Sequence, residues 1–172
     1  MQNSSYKPRN APQSGYPVCM PQIRRAKALD ADTICHQRLR MFVDSALGAE
    51  AEMSPIIARF ATWLKPRLAN ETYLGWIAEE DARAVGGIGL WLMDYPPNFR
   101  DPSGTRGYVM NMYVAPEMRR RGLARQLLDS AVQEAHARNI RVVTLHATKL
   151  GRALYEQCGF KSTTEMMLQQ EL

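Results

Sequence analysis

The sequence predicts an α/β fold in which antiparallel strands lead into a parallel strand-helix-strand unit, and three observations carry that prediction. Two runs rich in aromatic and branched residues, Thr72 to Glu80 and Val85 to Met93, are separated only by the short polar Asp81, Ala82, Arg83 and Ala84, the pattern of a hairpin. Tyr108 to Val114 reads as a strand, Gly122 to Arg138 as a helix and Arg141 to Ala147 as a second strand, an order that gives parallel pairing through a right-handed crossover. On that helix Leu123, Leu127, Leu128, Ala131 and Ala135 share one face, while Arg125, Asp129, Gln133 and Glu134 lie opposite.

Taken in order, residues 1 to about 21 mix Ser, Asn, Gln, Pro and Gly with few large apolar groups, too little to offset the entropy of ordering them, and are expected to form a disordered tail. Ile23 to Leu29 is expected as a short strand. Asp30 or Asp32 then supplies a capping oxygen for a helix that turns Ile34, Cys35, Leu39, Met41 and Phe42 inward. Ser54 and Pro55 start a second helix, with Ile56, Ile57, Phe60, Trp63 and Leu64 on one face, until Pro66 stops it. The stretch Asp94 to Gly107, with Pro96, Pro97, Pro102 and Gly104, is a long loop of the kind that borders binding sites. Asn139 can take the left-handed conformation that ends the crossover helix. A short helix follows from about Gly151 to Cys158, with Gly159 left-handed after it and Phe160 folding back toward Tyr155. A last strand is expected near Ser162 to Leu168.

With 172 residues and 19.5 kDa the chain suits one domain with one core. Its 45% hydrophobic and 23% charged residues exclude wholesale disorder and fibrous repeats. No stretch approaches the roughly 20 apolar residues of a membrane span, and the N-terminus has no apolar signal run, so a cytoplasmic protein without a membrane partner is expected. Cys19, Cys35 and Cys158 are scattered and make neither a disulfide framework nor a zinc site, so no metal is expected. The net charge of +5 favours an anionic partner without naming one.

The chemistry concentrates at the junction Val114 to Ala124, where a strand ends and a helix begins. The first turn of a helix has backbone N–H groups without intrahelical partners, and the aligned peptide dipoles put partial positive charge there. Gly122 and Ala124 are small enough for an anion to approach the main chain, and Arg119, Arg120 and Arg121 surround it with charge. Three adjacent arginines are by themselves more often a solvated surface run. Their position, where a strand feeds a crossover helix, favours a diphosphate cradle.

These residues resemble the GNAT superfamily of acyl-CoA-dependent N-acetyltransferases. Its signature of Arg or Gln, two variable residues, Gly, one variable residue and Gly or Ala is matched by Arg119-Arg120-Arg121-Gly122-Leu123-Ala124. A preceding Val-x-Pro appears as Val114-Ala115-Pro116, and a later Leu-Tyr-Glu-x-x-Gly-Phe as Leu154 to Phe160. The resemblance covers roughly residues 22 to 172, which it implies form one N-acetyltransferase domain. It implies a single mixed sheet of antiparallel N-terminal strands and a central parallel pair splayed into a V-shaped cleft, with helices on both faces. Acetyl-CoA is then the implied co-substrate, its diphosphate held by Arg119 to Ala124 and its pantetheine arm by the main chain of Met112 and Val114. A β-bulge implied in this strand falls near Asn111. The resemblance gives Tyr155 the role of proton donor to the departing thiolate.

A phenol with a pKa of about 10 stays protonated at neutral pH and can serve that role. The strand acid that many family members use as general base is missing from Tyr108 to Val114, which leaves Glu79, Glu80 and Asp94 at neighbouring strand ends as candidates, with bulk water as the alternative. The Asn often found ahead of the short helix is replaced by Thr148. Cys158 reads as a small apolar group, His146 as packed or hydrogen-bonded, and His36 and His136 as exposed. Trp63, Trp76 and Trp91 read as core residues, so nucleic acid is not an expected partner. The expected reaction is transfer of an acetyl group to a primary amine of a small molecule or peptide by direct attack in a ternary complex. The alternative is a non-catalytic acyl-CoA sensor or interaction module. The sequence accommodates a homodimer without requiring one.

Overall fold

The computed structural model describes residues 20–99 and 101–168. They fall into two compact units, residues 20–146 and residues 147–168. The expected tail, apart from Met20 and Pro21, lies outside the described residues.

The first unit is one five-stranded sheet in the order β1 (Gln22–Arg25), β2 (Tyr73–Glu80), β3 (Arg83–Asp94), β4 (Thr105–Val114) and β5 (Val143–Leu145). The first four strands pair antiparallel and β4 pairs with β5 in parallel. The mixed sheet and its crossover through α3 (Leu123–Ala137) are as the sequence predicts. The parallel pair, however, lies at the edge of this sheet rather than at its centre. Helices α1 (Ala31–Asp44) and α2 (Glu50–Ala69) pack on one face and α3 on the other.

The β2–β3 connection is tighter than expected. Glu80 pairs directly with Arg83, so Asp81 and Ala82 form a two-residue turn with φ of 50° and 61°. Two left-handed residues give the twist that matches right-twisted flanking strands. The first strand stops at Arg25 instead of Leu29, because Ala28–Asp30 coils into a 3-10 turn. The Asp30 carboxylate accepts from the Lys27 N–H at 2.7 Å, so it caps that turn rather than α1. On α1, Ile34 and Cys35 are buried as expected, and so is the polar Gln37, whose amide donates to the Gly86 carbonyl at 3.0 Å.

Helix α2 corrects the sequence reading at both ends. It begins at Glu50, four residues before Ser54, because the Glu52 carboxylate accepts from the Ala49 N–H at 2.8 Å and starts the helix there. It also runs through Pro66 to Ala69. An interior proline costs about 3 kcal/mol. Phe60, Leu64 and Leu68 are buried on this helix, at about 2 kcal/mol each, enough to carry it past both Pro55 and Pro66. Ile56, expected inward, is exposed. The core on this face joins Ala31, Ile34, Phe60, Leu64 and Tyr73, with Trp63 and Trp91 packed against it.

Helix α3 buries the five residues of its predicted face and ends as expected. Asn139 has φ of 58°, and Ile140 N–H donates to Ala135 O at 2.9 Å. In the second unit α4 (Arg152–Gln157) closes with Gly159 at φ of 88°. There the Phe160 N–H donates to Tyr155 O at 3.0 Å, and the two rings meet edge to face at 5.9 Å. The expected strand Ser162 to Leu168 does not form. Met166, Met167 and Leu168 are exposed, and without a ladder partner among the described residues this backbone has nothing to pair with. No helix among the described residues is long and apolar enough to cross a membrane.

Candidate active site

β4 is interrupted where the resemblance places a bulge. Gly87 pairs with Tyr113 and Gly89 with Met110, so Ile88 alone stands opposite both Asn111 and Met112. Asn111 takes φ of 55°. One extra residue on one strand bends it and breaks its ladder. The parallel pairing reflects this, since β5 meets β4 only at Gly107, Tyr108 and Val109 and is lost from Met110 onward. Beyond that point β4 has an open edge among the described residues. Because the Ala115 N–H donates to Val85 O at 2.9 Å, strand alternation turns the N–H of Val114 toward the open side. The Val114 carbonyl is already taken, by Arg119 Nε at 2.9 Å.

Past β4 the chain makes a 3-10 turn at Pro116–Met118 and then the junction with α3. Arg120 and Gly122 both lie in the left-handed region, at φ of 64° and 82°. Gly122 is the N-cap of α3 and has no side chain with which to cap it. The N–H groups of Gly122, Leu123 and Ala124 therefore find no acceptor among the described residues, and helical bonding begins with Arg125 N–H to Gly122 O at 3.1 Å. Of the six signature residues, Arg119 is the exception, since its N–H is spent on Pro116 O at 3.3 Å. A Cβ built on Gly122 would meet nothing within 4 Å, so the space over these amides is open. Free amides, a helix N-terminus and exposed Arg120 and Arg121 side chains make a fitting seat for a diphosphate.

The charge around the cradle is ordered. Arg119 donates to Asp44 at the end of α1 at 2.7 Å, and Asp44 also accepts from Arg40 at 2.7 Å. Arg83 at the start of β3 holds Glu117 in the 3-10 turn at 2.6 Å.

Sequence reasoning missed the groups on the α1–α2 face of the bulge. The Asn111 amide donates to the Tyr73 hydroxyl at 2.8 Å, and its oxygen accepts from Arg38. Tyr73 stands on β2 and crosses β3 over Gly89, where any Cβ would overlap the phenol. Burial pushes the Tyr73 phenol well above its ordinary pKa and pulls Arg38 below its own. Further along β4, Tyr108 packs edge-on against Trp91 and its hydroxyl is hydrogen-bonded to His146 Nδ1, at the end of β5 where the two strands part. His146 is thus hydrogen-bonded as expected, though exposed. The resemblance places the bulge near Asn111, but its partners Tyr73 and Arg38 lie 38 and 73 residues away along the chain, which no local pattern marks.

The structure gathers Met112, Val114 and Arg119 to Ala124 at one end of β4. It does not bring Glu79 or Glu80 there. Both stand on β2, with β3 between them and β4, and the Glu79 carboxylate is held by Arg24 of β1 at 2.7 Å. Asp94 pairs with Thr105 at the opposite end of β4. In the second unit Tyr155 is buried, and that burial raises its phenol above the ordinary value, with the nearby Cys158 thiol adding to the shift. Thr148 caps the turn before α4 by accepting from the Gly151 N–H at 3.2 Å.

A family model described as the acetyltransferase (GNAT) family matches residues 38–160. An N-acetyltransferase of Bacillus subtilis (strain 168), YhfO, itself uncharacterized, is 32% identical over 151 residues, covering 83% of this chain and 91% of its own. The crystal structure of a GCN5-related N-acetyltransferase from Ralstonia eutropha JMP134 superposes with a TM-score of 0.81 at 35% identity, covering 87% of this chain and 97% of that one. A protein from Clostridium acetobutylicum described as a predicted acetyltransferase, crystallised with acetyl-CoA, gives a TM-score of 0.81 at 31% identity over 88% of this chain and 96% of its own.

Proposed function

We propose, from the premise that this chain belongs to the GNAT acetyltransferase family, that it transfers an acetyl group from acetyl-CoA to a primary amine by direct attack in a ternary complex. The single observation that carries the reading is the set of unpaired amides at Gly122, Leu123 and Ala124, directly after a strand whose outer edge is open. Amides without acceptors suit a diphosphate, and an open strand edge suits an amide-bearing arm that pairs as a strand would. Met112 and Val114 supply that edge, and Arg120 and Arg121 add charge beside the cradle.

Chemistry then requires a neutral amine nitrogen on the thioester carbonyl carbon. The C–N bond forms, the C–S bond breaks, the sulfur leaves with the bonding pair and takes a proton, and the nitrogen releases one. Tyr155 is the residue to which the family pattern gives the sulfur's proton. At an ordinary pKa of about 10, against about 8.5 for a thiol, the transfer is uphill by about 2 kcal/mol, and the burial that raises the Tyr155 phenol adds to that cost. The Met112 N–H, beside the bulge, is the donor for the developing oxyanion. The nitrogen's proton goes to solvent, because β3 stands between Glu79 and Glu80 and the open edge of β4. Much of the acceleration comes from holding amine and thioester together.

The test is thiol release from acetyl-CoA against a broad panel of amines, with the acetylated amine identified by mass spectrometry. Equal amounts of thiol and acetylated amine are expected. Tight acetyl-CoA binding without thiol release for any amine would mark a non-catalytic sensor instead.

A further inference from the structure

Among the described residues Arg38 is a cation without an anion. Its guanidinium lies over the rings of Phe60 at 4.4 Å and Phe42 at 4.8 Å, and one Nη donates to the neutral amide oxygen of Asn111. Its Nε is buried with no hydrogen-bond partner. The groups that act on its charge are Tyr73, Tyr108 and Cys35, and no carboxylate is among them. The neighbouring arginines are matched, Arg40 and Arg119 both meeting Asp44. Removing a charge from water without a counter-ion is costly, and an arriving anion relieves that cost. The position of Arg38 is also particular, because the residue it holds is the bulged Asn111, beside the point where β4 and β5 part.

We propose that Arg38 binds a carboxylate carried by the acceptor, so that the amine acetylated is a small amino carboxylate. The planar fork of a guanidinium matches a carboxylate through two parallel hydrogen bonds. One unpaired cation balances one negative charge, and none of the groups acting on Arg38 is a second lysine or arginine, so a phosphate dianion is the poorer match. Phe42, Phe60 and Tyr108 around it suit the carbon skeleton of a small molecule. This proposal rests on the acetyltransferase reading for the amine, and on Arg38 alone for the carboxylate.

The experiment uses the full chain with CoA present and matched probes, each free amino acid beside its own primary carboxamide. Binding is followed by calorimetry, and turnover separately by thiol release. In at least one pair the carboxylate member is expected to bind about tenfold or more tighter, the scale of a charge-assisted hydrogen bond. Arg38→Gln should bring that ratio to about one, and Arg38→Lys should keep part of it. A wild-type protein with no carboxylate preference in any pair overturns the proposal, as does a preference that survives Arg38→Gln in a folded variant. Equal binding of a short peptide with an amidated C-terminus overturns it too. Arg38-dependent binding without thiol release would uphold the carboxylate site and remove the acetyltransferase reading. Brisk acetylation of amines with no carboxylate preference would do the reverse.

Discussion

Arg119 reaches Asp44 with its guanidinium at 2.7 Å while its Nε holds the Val114 carbonyl at 2.9 Å, so one side chain fastens the end of β4 to the end of α1. The cradle amides begin three residues later. Arg119→Gln is therefore expected to loosen that junction. Arg119 is nearly half exposed, which limits the stability loss to about 1 kcal/mol by urea titration. CoA affinity should fall severalfold, and a variant with unchanged affinity would show that the junction holds its shape without this clasp.

Gly122→Val tests the cradle itself. The left-handed φ of 82° is unfavourable for a residue with a side chain and should cost about 1–2 kcal/mol in stability. The added methyl groups would stand in the open space over the free amides, so calorimetric affinity for CoA should drop at least about tenfold. Wild-type affinity in this variant would place the diphosphate elsewhere.

Tyr155→Phe should keep acetyl-CoA binding and slow turnover. The phenol's pKa is raised by burial, which disfavours the phenolate, so the acid form persists to at least pH 10. The wild-type pH–rate profile should show no falling alkaline limb from Tyr155 below about pH 10. A fully active Phe variant would leave Tyr155 only its packing on Phe160.

Tyr73 links the bulge to alkaline stability. Its folded pKa lies above the unfolded value of about 10, so its contribution is complete below pH 10 and is lost as pH rises toward the folded value. Chemical denaturation above pH 10 should show wild type losing stability more steeply than Tyr73→Phe. At pH 7 the Phe variant should be destabilised by about 1–3 kcal/mol, because the buried Asn111 amide loses its acceptor. Identical alkaline slopes would mean that another group governs the transition.

Most of what the sequence made legible is local. The amphipathic face of α3, its left-handed Asn139, the cap at Gly159 and Phe160 and the strand-to-helix junction are all written within a turn or two of chain. What it hid depends on partners far away along the chain. Arg38 and Asn111 are 73 residues apart, and Asn111 and Tyr73 are 38 apart. No periodicity marks Gly89 as the gap through which Tyr73 passes. Pro66 misled because burial of Leu64 and Leu68 outweighs a lost hydrogen bond. Nor does any local pattern show that Glu79, one of three candidate bases, is held by Arg24, 55 residues away along the chain.

The tip between β2 and β3 leaves untapped room for engineering. Asp81 and Ala82 both hold a backbone shape that asparagine and glycine adopt more readily, and neither side chain is part of the Arg83–Glu117 pair that follows them. Grafting Asn-Gly there would add thermal reserve, which could then absorb harsher changes around the bulge without collapse of the scaffold.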